Sequence, residues 1–211
     1  MKRSLWMIGI GIAIVLVLIG AFVSYTAHFA STANPPHKPP GVATLGETPI
    51  PSTGLHTFQI LPAQSTASYS VRENLIIRNV SNNVAIGRTH AVQGSFEIRT
   101  GTSPLVARLN ITVDVSTLQT DEPMRDHFVR QNYLETDTYP TATFISTSTQ
   151  GLPKTYSDGH MVRFQLIGNL TLHGTTNKEV FDVQGKVAGN TITGTATSTI
   201  YMTDFGIQPP D

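Results

Sequence analysis

The chain has 211 residues, with 14 Lys and Arg balanced by 14 Asp and Glu and only 13% of positions charged. One domain with a tail fits that length; so neutral a chain has no electrostatic footprint for nucleic acid and is too apolar to be disordered. The absence of cysteine excludes a disulfide framework, a cysteine zinc site, a thiol nucleophile and a lipid anchor on a cleavage-site cysteine.

Lys2 and Arg3 precede an uncharged apolar run over residues 5–23. As a helix that run is roughly 28 Å long, close to the hydrocarbon thickness of a bilayer. Residues 1–30 are therefore predicted to hold a transmembrane helix, an uncleaved signal anchor. Positive charge lies ahead of the run and none follows until Lys38. The positive-inside rule then puts the rest on the extracytoplasmic side of the cell membrane, as a single-pass protein. Cleavage near Tyr25-Thr26-Ala27 or Phe29-Ala30 would instead secrete it. Gly9-Ile10-Gly11 lacks the preceding strand and the third glycine of a dinucleotide loop. Residues 31–54 carry Pro35, Pro36, Pro39, Pro40, Pro49 and Pro51. These deny the stretch helix and ladder bonds, so it reads as an extended spacer.

From residue 55 to 211 the signal is a period of two, the mark of strands with one buried face. Leu109, Ile111, Val113 and Val115 alternate with Asn110, Thr112, Asp114 and Ser116. Val162, Phe164, Leu166, Leu170 and Leu172 form another row, interrupted by Gly168, where a bend or bulge is expected. Further rows are Val92, Phe96 and Ile98; Phe181, Val183 and Val187; and Ile192, Ala196, Ile200 and Met202. Turn chemistry falls at 100–104, 156–159 and 188–190. About eight strands are expected, near 57–61, 66–73, 88–99, 106–115, 141–149, 160–172, 178–187 and 191–203. Long strands joined by short hairpins favour an all-β antiparallel meander that closes into a barrel, which also removes exposed edges. Residues 121–131 break the period and read as one short helix in a long connection. Asp121 serves as N-cap, Pro123 fits the first turn, and Met124, Phe128 and Val129 or Tyr133 share a face that plugs one barrel end.

The chemistry-bearing residues form no catalytic pattern. His28, His37, His56, His90, His127, His160 and His173 show no metal-site spacing with one another or with carboxylates. No Gly-x-Ser-x-Gly elbow, His-Glu-x-x-His or phosphate loop follows the apolar run. No enzyme activity, metal or cofactor is therefore expected. The sequons at Asn79, Asn110 and Asn169 are chance in a threonine-rich chain.

Four motifs, the second of them in two segments, stand in order along the domain. Met124-Arg125-Asp126-His127-Phe128 is followed by Tyr133-Leu134-Glu135-Thr136. Then come Tyr139-Pro140-Thr141-Ala142-Thr143-Phe144, Gly168-Asn169-Leu170-Thr171-Leu172-His173-Gly174-Thr175-Thr176 and Asp204-Phe205-Gly206-Ile207. In that order and spacing they resemble the YceI-like family, over about residues 58–207. The resemblance implies an extended antiparallel lipocalin-like barrel. It also implies a hydrophobic internal channel for a long polyisoprenoid or similar amphiphile, usually in the periplasm or outside the cell. Phe128 stands where the family commonly has Leu. Family members usually continue past the last motif into one more strand, whereas this sequence ends at Gln208-Pro209-Pro210-Asp211; that leaves two readings, a barrel with an open seam or a truncated product.

The candidate ligand wall is the inward aromatics Phe96, Phe144, Phe164 and Phe181, with Val113, Leu166, Leu170, Ala196 and Ile200. Small inward residues (Gly168, Gly185, Gly194, Ala196 and Ser198) are expected to leave space where a solid core would want Leu or Ile. Arg125, Asp126 and Asp204 are candidates for the barrel mouth. Arg125 either pairs with Asp126 or Asp204 and pins the helix, or meets a ligand head group. The expected function is capture of an apolar or amphiphilic lipid of polyisoprenoid type, with the membrane as a second partner through the N-terminal helix. The alternative is a non-catalytic structural or interaction domain with a solid core and an open strand edge.

Overall fold

The period of two becomes a sheet. The computed structural model describes residues 14–15, 20–24, 54–75, 80–100, 106–157, 159–189 and 191–208. Its strands are β1 (Ile14–Val15), β2 (Gly20–Ser24), β3 (Gly54–Ile60), β4 (Ala67–Leu75), β5 (Val80–Thr89), β6 (Val92–Thr100), β7 (Val106–Asp114), β8 (Thr141–Gln150), β9 (Val162–Leu172), β10 (Thr175–Ala188), β11 (Thr191–Thr197) and β12 (Thr199–Ile200). One α-helix, α1 (Pro123–Asn132), lies between β7 and β8. Seven strands form one curled antiparallel sheet in the spatial order β3-β6-β7-β8-β9-β10-β11, and β2 pairs with both of its edges, closing a barrel. The β4–β5 hairpin forms a separate two-stranded sheet.

The inward rows are those the alternation marks. Phe58, Phe96, Leu109, Ile111, Phe144, Leu166, Leu170 and Phe181 are buried in one cluster, while their neighbours Asn110, Ile145, Asn169 and Asp182 face outward. Leu172 pairs with Thr175 across the two-residue turn His173-Gly174. Both turn residues have positive φ, 51° and 72°, the type I′ geometry whose twist matches the strands. A side chain on Gly174 would also meet the Tyr139 ring, 2.7 Å from the added Cβ.

The barrel has two unlike ends. The helix end carries the 3-10 turn Val115–Thr117, α1, the β9–β10 turn and the 3-10 turn Met202–Phe205. The other, here the strap end, carries the β8–β9 connection and the β10–β11 turn.

Several expectations are corrected. Of the run predicted as a transmembrane helix, the described parts, β1 and β2, are strands; the rest lies outside the described residues. Among the described residues no helix is long and apolar enough to cross a membrane. The run is rich in β-branched Ile and Val, which suit a strand. The edges of β3 and β11 also offer it backbone partners in place of intrahelical bonds. The same strand bridges β3 and β11, so of the two readings of the chain's end the open seam is not realised. The predicted spacer, residues 31–54, lies outside the described residues except for Gly54.

The single strand expected at 88–99 is two strands, β5 and β6. β5 escapes detection because its buried positions are small, Ala85, Gly87 and Thr89, with the Tyr69 ring lying against Gly87. Val115 and Met202 leave their predicted strands for 3-10 turns. The N-cap of α1 is Glu122, not Asp121. Its exposed face carries Met124 at 81% and Phe128 at 53% accessibility; Asp126 is the residue turned inward. Of the predicted plug face, Met124 and Phe128 therefore point to solvent, while Val129 and Tyr133 pack half-buried against the core.

The irregularity expected at Gly168 is present, but the extra residue sits on the partner strand. Register shifts between Ser146 and Ser148 of β8, opposite Gly168 and Ile167. A Cβ on Gly168 would lie 2.4 Å from Ile145 O, 2.6 Å from Ser146 Cα and 2.8 Å from Phe144 Cζ. Gly168→Val should therefore destabilise the barrel by about 1–3 kcal/mol. Urea denaturation should show a lower midpoint at unchanged m-value.

Candidate functional site

The predicted wall assembles. Phe96, Val113, Phe144, Leu166, Leu170, Phe181, Ala196 and Ile200 are buried in one cluster, and Phe164 packs against it half-buried. Phe144 and Phe181 meet edge to face at 4.6 Å between centroids, the arrangement the ring quadrupoles favour. Ile200 lies on β12, beyond the last barrel strand.

The glycines do not leave the space expected of them. The absent Gly168 side chain makes room for the Phe144 ring. Gly185 and Gly194 are register partners. A Cβ on Gly194 would sit 2.7 Å from Gln184 O and 3.0 Å from Gly185 Cα, so these two strands close onto each other there.

Accessible apolar surface lies elsewhere on the inner wall. Ile98, Phe164 and Val183 point inward but are only half-buried. All three belong to the strap-end half: Ile98 pairs with Ala107, and Phe164 with Val183. A hollow of about 120 Å³ between Leu55, Glu97, Arg99 and Arg108 is formed by outward positions of β3, β6 and β7. It is smaller than the several hundred Å³ of typical ligand sites.

The mouth residues do not act together. Arg125 Nη1 donates to Asp121 Oδ1 at 2.9 Å, and the guanidinium holds the Asp121 carboxyl below its usual range. Arg125 is thus paired with neither Asp126 nor Asp204. Asp126 Oδ1 accepts from Thr120 N at 2.9 Å and Thr120 Oγ1 at 2.6 Å, tying α1 to the segment before it. Asp204 is exposed; its backbone carbonyl accepts from Asn177 Nδ2.

Three features escaped sequence reasoning. Glu179 sits on the inward row of β10, opposite Gly168. Burial first, then the Asp204 charge, pushes its carboxyl above the usual value. Glu135 and His173, both at positive φ, come within 3.5 Å of each other, Oε2 to Nε2. His173 Nδ1 donates to Phe205 O at 3.3 Å, and the ring packs on Tyr139. Tyr156, from a segment expected to be only a turn, bonds both backbone groups of Val187. A longer-than-hairpin spacing between β8 and β9 was the one available signal. Among the described residues no group of three His, Asp or Glu could hold a metal ion.

A family model described as YceI-like domain matches residues 58–210. A UPF0312 protein of Pseudomonas savastanoi pv. phaseolicola is 30% identical over 132 residues, which are 56% of this chain and 65% of that protein. A UPF0312 protein of Shewanella baltica is 27% identical over 139 residues, 63% of this chain and 69% of that protein. The chain thus spans less than two thirds of the length of the first of these relatives. The crystal structure of Burkholderia cenocepacia BcnA aligns with a TM-score of 0.51 at 19% identity, covering 69% of this chain and 82% of that one. That likeness concerns the fold alone.

The Glu179 environment has a pH signature. An acid whose pKa is raised on folding destabilises the native state once it ionises. The penalty is absent below the unfolded-state value of about 4.3 and grows as pH rises through the folded value. Glu179→Gln should therefore raise Tm relative to the wild type at pH 8 and lose that advantage at pH 4. Paired thermal melts at the two pH values check the sign.

Proposed function

The chain belongs to the YceI-like domain family, and from that premise we propose that its barrel binds the tail of an apolar or amphiphilic lipid of polyisoprenoid type, as a lipocalin-like carrier or sequestering module. The observation that carries this reading is the accessible apolar inner wall at Ile98, Phe164 and Val183. In a solid barrel the inward side chains exclude each other's solvent; here the strap-end half keeps greasy surface uncovered while the helix end is sealed. Covering such surface with a hydrocarbon tail contributes about 0.8 kcal/mol per methylene, offset by the cost of ordering the tail. Among the described residues no group of three His, Asp or Glu lies together, and binding rather than turnover is the proposed activity.

An extracytoplasmic location is part of the proposal. Its support is the order of Lys2 and Arg3 ahead of an apolar run, the pattern of an export signal; cleavage of such a signal near residues 25–30 would remove β2 and leave the edges of β3 and β11 unpaired.

Organic extracts of the purified full chain, analysed by mass spectrometry, should contain a stoichiometric long-chain lipid. Val183→Trp supplies the second arm. In a barrel with room at Val183, the indole occupies the lipid's place: lipid is lost and Tm holds. In a solid barrel the same change overpacks the core, costs about 1–3 kcal/mol and lowers Tm. That second result would sink the proposal.

A further inference from the structure

The two barrel ends are closed by different kinds of contact. At the helix end the cover is dry and stapled. Leu134, Phe205 and Ile207 are buried there, Asp126 clamps Thr120, and Val115 N donates to Pro140 O at 2.9 Å. At the strap end, among the described residues, the cover is the β8–β9 connection. Its apolar residues Leu152 and Tyr156 lie half-buried on the core. Tyr156 Oη accepts from Val187 N at 2.8 Å and donates to Val187 O. Gly159 N also donates to Val187 O, at 2.7 Å.

The near end of this strap is built to turn. Gly151 has φ of 80°, a conformation open to glycine and rare for other residues. Within 4 Å of an added Cβ there lies only Phe164 Cα, at 3.8 Å, so little packing resists rotation. The accessible inner wall, Phe164 and Val183, lies in this same half of the barrel. Hinges of gating loops are often small residues at the end of an element, as Gly151 is at the end of β8.

We propose that residues 151–157 are the lid of the lipid portal: the strap swings about Gly151 when Tyr156 leaves Val187, and the tail passes between them into the barrel. The far end of the strap stays moored through Gly159. This inference rests on the reading of the barrel as a lipid binder and adds the route that the lipid takes.

The test uses the full chain, fluorescently labelled geranylgeraniol as probe, and two variants. Tyr156→Phe keeps the ring but removes both bonds to Val187. Thr120→Val removes a hydroxyl from the helix-end clamp. Two hydrogen bonds shift the opening of a flap by about tenfold, so Tyr156→Phe should release the probe about tenfold faster, with Tm lowered by only a few degrees. Trypsin should also cut faster after exposed Lys154 of the strap, because cleavage requires the segment to undock. Thr120→Val should leave the release rate at the wild-type value. Probe release unaltered by Tyr156→Phe, or hastened by Thr120→Val, overturns the portal assignment. Failure of the wild type to bind the probe, together with lipid-free extracts, overturns the binding reading itself and the portal with it. Trypsin sensitivity separates an unmoved strap from a strap that opens onto nothing.

Discussion

A barrel wall one side chain thick depends on register. Side chains alternate with a period of two, so a slip of one residue on any strand would turn its apolar row to water and its threonines inward. The inward rows of β6 to β11 hold one phase across six strands, and the only shift among them, between Ser146 and Ser148, is absorbed opposite Gly168. The absent side chain lets β8 bulge toward β9 and the Phe144 ring fill the gap. From that contact follows the Phe144–Phe181 pair, and from the pair the closed midsection of the barrel.

Above and below that midsection the ends differ in how they exclude water. The helix end uses side-chain hydrogen bonds: Asp114 accepts from Ser116, Asp126 accepts from Thr120, and the Thr89 and Thr117 hydroxyls join segments far apart in sequence. These satisfy buried polar groups and make the end costly to open. Among the described residues the strap end is held in part through one backbone position, Val187. In the proposed lipid binder the two ends divide the work: the helix end keeps the sheet together and the strap end admits the tail.

Strain and charge gather near the sealed end. Glu135 and His173, the two non-glycine residues with positive φ among those described, face each other. Glu179 holds a carboxyl on the inner row beside Ser198 and under the influence of Asp204. Local backbone energy and desolvation of this kind persist only where surrounding structure over-determines them. Here the buried 3-10 turn Met202–Phe205 provides it. The exposed Met124 and Phe128 of α1 show the converse: an apolar pattern at helical spacing does not by itself say which face the fold will bury.

Family membership, the antiparallel rows and most strand positions were legible in the chain itself, because alternation and turn residues act locally. Phe96, Phe144, Phe181, Leu166 and Leu170 could be assigned to the wall from pattern alone. Strand β5 could not, because its buried positions are too small to register as apolar. The partner of Arg125 could not, because a guanidinium takes the carboxylate that helix geometry brings within reach, and that is Asp121. Nor could the meaning of the glycines, whose missing side chains are filled by a ring or a neighbouring backbone that only the tertiary fold delivers. The N-terminal apolar run marks the limit most clearly. Its composition satisfies a bilayer helix and a barrel strand equally, and the choice at β2 falls to the unpaired edges of β3 and β11, which exist only once the rest of the sheet has formed.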